Sequence, residues 1–93
     1  MTLSISSSPY TVTTAAVKIS PTTAVNSYTL IIQNNHASNI LYVGNSSSVT
    51  SSAYGVQLST GASIALDDLI PADQVWVIAS ASSTPVGVMA IIR

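Results

Sequence analysis

The chain has no cysteine, no glutamate and a single histidine, and its 93 residues carry only two basic and three acidic side chains. Each shortage excludes something. Without cysteine there is no disulfide framework and no thiolate metal site. One histidine, His36, cannot build an imidazole cluster. Without glutamate, any pair of working carboxylates must come from Asp67, Asp68 and Asp73. Lys18 and Arg93 are the only basic residues, too few for the basic stripe that phosphate backbones require, which argues against nucleic acid and anionic membrane surfaces as partners. No apolar run approaches the roughly 20 residues of a membrane-spanning helix. The segment Met1-Thr2-Leu3-Ser4-Ile5-Ser6-Ser7-Ser8 has neither the basic region nor the apolar stretch of a secretory signal, so synthesis in a cytoplasm without export by that route is expected.

What the chain does have is apolar surface. The hydrophobic fraction is 47% and the mean hydropathy is +0.52, whereas an ordinary soluble domain is about 25% charged. This length fits one domain, which buries only about 60–65% of the surface its unfolded chain exposes. Such a core barely offsets the entropy of ordering the chain, and small domains add disulfides, a metal or a partner chain. With cysteine and clustered histidine missing, oligomerisation is the expected staple. So few charges also leave little to keep sheet edges apart. Much of the surface is therefore expected to be covered, by copies of the chain or by a larger assembly.

Serine and threonine are frequent, 17 and 10 of the 93 residues, and they fall between apolar runs as they do when short strands alternate with polar turns. Thr11 to Ile19 reads as a β-branched strand stopped by Pro21. Tyr28 to Asn34 follows, with Leu30 and Ile32 on one face, then the turn Asn35-His36-Ala37-Ser38-Asn39. Ile40 to Val43 ends at Gly44. A longer polar loop opens at Asn45, with a short strand at Val49-Thr50. Gly55 to Leu58 and Ser63 to Leu66 flank the turn Ser59-Thr60-Gly61. Gln74 to Ala79 and Val86 to Ile92 come last, joined by Ser80 to Pro85. The best helical stretch, Ser63 to Ile70, is short and ends at Pro71. Seven to eight short strands predict an all-β fold, a small antiparallel β-sandwich or jelly-roll-like barrel.

Two of these strands are apolar on both faces. Val75 and Val77 oppose Trp76 and Ile78, while Val86, Val88 and Ala90 oppose Met89 and Ile91. A lone sandwich leaves one face of each strand in water, and clean alternation follows. Either a bulge or loop covers the outer positions, or they form a subunit interface. The low charge favours the interface, with Trp76, Ile78, Met89 and Ile91 as its candidate residues.

Little points to chemistry. The G-x-S-x-G nucleophile elbow is missing, His36 sits at a turn, and no catalytic residue, cofactor or metal site is assigned; the chain is expected not to be an enzyme. Asp67, Asp68 and Asp73 are the only charge cluster. Calcium loops draw on such carboxylates, but the D-x-D-x-D-G spacing is missing and adjacent Asp67 and Asp68 would point apart, so a solvated loop capping a helical turn at Leu69 to Ala72 is the simpler reading. Trp76, Tyr10, Tyr28, Tyr42 and Tyr54 could stack on sugar faces beside Asn and Ser donors, or could pack in the core or an interface.

The segments Leu30-Ile31-Ile32-Gln33-Asn34, Ile40-Leu41-Tyr42-Val43-Gly44, Val56-Gln57-Leu58-Ser59-Thr60-Gly61-Ala62-Ser63-Ile64-Ala65-Leu66, Val75-Trp76-Val77-Ile78-Ala79 and Val86-Gly87-Val88 together resemble the small β-sandwich structural proteins of tailed bacteriophage particles. The resemblance spans Tyr28 to Ile92, about two-thirds of the chain. It implies a virion structural protein: a capsid decoration or head-fibre protein present in multiple copies, trimers above all, bound to the major capsid protein or another virion component. The alternative it leaves is a carbohydrate- or receptor-binding knob of a tail or fibre. It carries over no catalytic residues. Residues 1–14 precede the matched region and are read as an anchoring arm or first strand, with residues 15–93 as the sandwich domain.

Overall fold

The computed structural model describes residues 4–20 and 26–93. Residues 1–3 of the expected arm, and Pro21, lie outside the described residues. Eight strands form: β1 (Ser4–Val12), β2 (Val17–Lys18), β3 (Tyr28–Asn34), β4 (Leu41–Gly44), β5 (Val56–Leu58), β6 (Ser63–Leu69), β7 (Trp76–Ala79) and β8 (Thr84–Ile92). They make two four-stranded antiparallel sheets. Sheet A has the order β1-β8-β3-β6 and sheet B the order β2-β7-β4-β5. The pairs β1·β8, β2·β7, β3·β6 and β4·β5 are nested around one central hairpin. The chain is thus folded in half at β4–β5 and wound into a jelly roll, a double-sheet way of managing strand edges. The all-β sandwich read from the sequence is the fold observed.

Alternation within each strand explains the layering. On β3, Tyr28, Leu30, Ile32 and Asn34 are all fully buried. On β7, Val77 and Ala79 turn inward, and on β8 Val86, Val88 and Ala90 do. Leu41 and Val43 of β4, Leu58 of β5, and Val12 at the end of β1 complete the core. The core is built from β-branched and aliphatic side chains with the period of two that a pleated sheet imposes.

Several local expectations change. The run Thr11 to Ile19 is two strands, because the chain leaves sheet A after Val12 and joins sheet B at Val17. The Thr13 carbonyl still accepts from Ala79 N at 2.9 Å during the crossing. Val49-Thr50 forms no strand; Val49 is buried as a loop residue. Ser63 to Ile70 is extended through Leu69, as β6. Ser59-Thr60-Gly61 does not close a hairpin. It carries the chain from β5 in sheet B to β6 in sheet A, with Gly61 at φ 73°, a left-handed conformation that suits glycine. Leu69 to Ala72 is not a helical turn. A β-turn runs from Ile70 to Asp73, closed by Asp73 N to Ile70 O at 2.9 Å, with Pro71 at its second position, where proline's fixed φ fits.

A β-bulge interrupts sheet A. Tyr28 pairs with Leu69 and Leu30 with Leu66, so Asp67 and Asp68 together stand opposite the single Thr29. Asp68 takes φ 60°, a conformation that aspartate tolerates better than most residues.

Candidate functional site

The four residues singled out as an interface are divided by the fold. Trp76 and Ile78 lie on the outer face of sheet B, whereas Met89 and Ile91 lie on the outer face of sheet A. Both pairs do face away from the core: Trp76, Ile78 and Ile91 are half-buried and Met89 is 43% exposed. The molecule therefore has two apolar outer faces, not one.

The outer face of sheet A is built in rows. Ile5, Ile91 and Thr29 stand side by side across β1, β8 and β3. The next row is Ser7, Met89, Ile31 and Ala65, and the next is Pro9, Gly87, Gln33 and Ser63. None of these side chains is charged. Ile5 is 64% exposed. Gly87, lacking a side chain, leaves a shallow groove of about 400 Å3 between Pro9, Ile31, Gln33 and Met89. Charge enters only at the corner. There Thr29 donates from Oγ1 to Asp67 Oδ1 at 2.5 Å and accepts from Arg93 at 3.2 Å, while the Arg93 guanidinium stands 4.0 Å from the same carboxylate. The Thr29 hydroxyl above all holds the Asp67 carboxyl below its ordinary value; desolvation opposes it, and the Asp68 N–H and Arg93 add smaller lowering effects.

The outer edges of sheet A differ. β6 is interrupted by the bulge and two aspartates. β1 runs for nine residues with neither bulge nor charge. Its one guard is Pro9, which lacks an N–H and is accommodated in a sheet when its nitrogen faces the free edge.

The outer face of sheet B gathers three of the five aromatic candidates. Trp76 stands opposite Gly44 in register, and Tyr42 opposite Ile78, which puts Tyr42 on the diagonal from Trp76. Tyr54 packs on Tyr42 with ring centroids 4.9 Å apart, tilted by 48°. Two glutamines hold these rings: Trp76 Nε1 donates to Gln74 Oε1 at 3.0 Å and the Tyr54 hydroxyl to Gln57 Oε1 at 3.1 Å. Lys18, opposite Trp76, is the one charge placed there by the strand register. The other two tyrosines belong elsewhere. Tyr28 is fully buried with its hydroxyl donating to Asp73 O at 2.6 Å, and burial pushes that phenol above its ordinary value. Tyr10 is half-buried against the core.

The remaining candidates are structural in their geometry. His36 Nδ1 accepts from Ser38 N at 2.9 Å and Asn39 N at 2.8 Å, organising its own turn. The three aspartates do not converge. Asp67 bonds Thr29, Asp73 accepts from Ile70 N at 3.0 Å, and among the described residues no three acidic or imidazole groups are grouped to hold a metal. Sequence reasoning missed an open cleft of about 690 Å3 at one end of the sandwich. Its floor is Val43, Val56, Leu66 and Val75, its rim the loop with Ser46, Ser48 and Tyr54. Nothing in the local sequence marks it, because its walls come from both sheets.

The architecture and these faces define the class: an eight-stranded jelly-roll sandwich with two uncharged or nearly uncharged outer faces. Compared with solved structures, the chain is similar in fold to a protein from Bacillus endospore appendages, described as a novel family of disulfide-linked pili. The TM-score is 0.63 and the identity 14%, over 97% of this chain and 84% of that one. No protein-family description matches the chain, and no curated protein does.

Proposed function

We propose that this jelly roll is a structural subunit that self-associates through the outer face of sheet A, and that its setting is a phage particle, where it decorates the capsid as a homotrimer bound to the major capsid protein. The observation that carries the reading is the uncharged face of β1, β8 and β3, with Ile5, Met89 and Ile91 turned away from the core. An antiparallel sheet with one solvated face normally places polar residues there. Exposed apolar groups of this kind mark association surfaces.

Size decides how the contact must be made. Four strands at about 4.8 Å spacing and seven residues at about 3.3 Å give a face of about 440 Å2. A stable interface takes roughly 800 Å2 from each partner. The face alone is too small, so the subunit contact extends over the rim of the sheet, and the β1 edge, guarded by Pro9 alone, is the adjoining surface able to supply backbone hydrogen bonds. The similar appendage protein supports the use of such a fold as an assembly subunit. This chain has no cysteine, so its assembly holds without disulfides.

Light scattering after size exclusion, over a hundredfold range of concentration, tests the reading. A trimer is expected for the native chain, and a monomer with unchanged circular dichroism for Met89→Lys. A native chain that remains monomeric throughout, or a Met89→Lys chain of unchanged mass, overturns the proposed contact. Binding to shells lacking the protein then tests the particle.

A further inference from the structure

The structure assigns a second role to the opposite face: we infer that the outer face of sheet B binds a neutral pyranose oligosaccharide on Trp76, Tyr42 and Tyr54. Sugar rings present C–H faces that stack on aromatic rings, and hydroxyl rims that bond to amides. The face supplies both. Tyr54 is 43% exposed although its ring packs on Tyr42 and its hydroxyl is tied to Gln57. The indole of Trp76 is held in the same manner by Gln74. Rings fixed before the ligand arrives lose little freedom on binding it, which is the advantage of preorganisation.

The tethering also leaves the right groups free. Each glutamine uses its carbonyl oxygen to hold a ring, and its NH2 has no hydrogen-bond partner among the described residues. Those amides remain as donors for ligand hydroxyls beside the aromatic surface. Charge selects the ligand class. Lys18 is the only charged residue among those placed on the face by register, and no carboxylate joins it. A polyanionic sugar would meet one cation, and a cationic ligand would meet no partner. A neutral glycan matches the face without desolvating an unpaired charge. The site lies across the sandwich from the sheet A surface, so the inference does not rest on the assembly reading.

Trp76 is the only tryptophan, so its emission reports this face alone. The intact protein, in whatever oligomeric state it adopts, is titrated with neutral oligomers of glucose, galactose and N-acetylglucosamine, and with heparin as the anionic probe. A saturable change with at least one neutral oligomer is expected, weakened at least fivefold by Tyr54→Ser with an unchanged melting temperature. Gln57→Glu, which keeps the acceptor for Tyr54 but removes the amide donor, should weaken it as well. No change with any neutral oligomer at 10 mM overturns the inference. So does a Tyr54→Ser protein that binds as the native one does, or a response to heparin alone. Emission that shifts on simple dilution would show a second copy seated on the face, and overturns it equally.

Discussion

At the end of the sandwich where β3 finishes, side-chain amides close the gap between the sheets. Asn34 is fully buried and its Nδ2 donates to Asn39 O at 2.8 Å and Leu58 O at 3.0 Å, while its Oδ1 accepts from His36 N at 3.0 Å. Asn39 in turn donates to Thr84 Oγ1 at 2.9 Å, and Thr84, also fully buried, donates to Ala81 O at 3.0 Å. One network therefore joins β3, β5, β8 and the intervening turns. At the end where β3 begins, the described side-chain ties are Tyr28 to Asp73 and the corner cluster of Thr29, Asp67 and Arg93, and beside them lies the apolar cleft beneath Ser46 and Ser48. The polar end spends its loops on stability. The open end leaves a cleft between its loops and a floor of Val43, Val56, Leu66 and Val75.

Substitutions at the two ends separate these roles. Asn34→Ala has the largest expected effect. It strands two buried or half-buried carbonyls and an N–H, each costing on the order of 1 kcal/mol or more, for about 3 kcal/mol in all. For a domain of this size that lowers Tm by about 15 °C in a thermal melt. Gly44→Ala comes next, at the open end. A Cβ there would lie 2.7 Å from Val49 Cγ2 and 2.8 Å from its Cβ, so the loop residue must move, at about 1–3 kcal/mol. Because both contacting atoms belong to the Val49 side chain, the Gly44→Ala/Val49→Gly double variant, which removes both, should be more stable than the sum of the single losses by at least about 0.5 kcal/mol in a denaturant cycle. Tyr28→Phe removes one hydrogen bond from the weakly tied end and should cost about 1 kcal/mol by urea unfolding. A loss as large as that of Asn34→Ala would abolish the contrast.

The smallest effect is a pH dependence at the bulge. The Asp67 carboxyl is held below its unfolded value, so folding favours its ionised form. Its contribution is present above the unfolded carboxylate range near pH 4 and is lost as the pH falls through the lower folded value. The carboxylate is solvent-exposed and the effect is screened. Native protein should therefore lose slightly more stability between pH 5 and pH 2 than Asp67→Asn does, read from paired melting curves.

The layered fold was legible because it rests on a local signal. Leu30 and Ile32, Val77 and Ala79, and Val86, Val88 and Ala90 alternate with their neighbours whatever the rest of the chain does. The connections were less legible. Ser59-Thr60-Gly61 carries turn chemistry that serves a hairpin or a crossing between sheets equally well, and only the partners of β5 and β6 decide. The same limit scattered the interface candidates. Trp76 and Met89 are both outward on central strands, but which sheet each strand joins is a non-local fact. The bulge did leave a trace: Leu66 and Leu69 stand three apart where a regular strand would keep them on opposite faces, and Asp67 and Asp68 fill the excess. Trp76, Tyr42 and Tyr54 come from three distant segments, so their meeting could be foreseen only as a set of aromatic residues.

The winding of the chain also sets a schedule. β1 has one ladder partner, β8, with Ser4 opposite Ile92 and Val12 opposite Thr84. During synthesis β1 waits, unpaired, until β8 has emerged. Loop closure over nearly the whole chain makes that pairing slow. During the delay β1 can meet the same strand of a neighbouring nascent chain, so polysome spacing and synthesis rate, as much as sequence, govern how cleanly the molecule closes on itself.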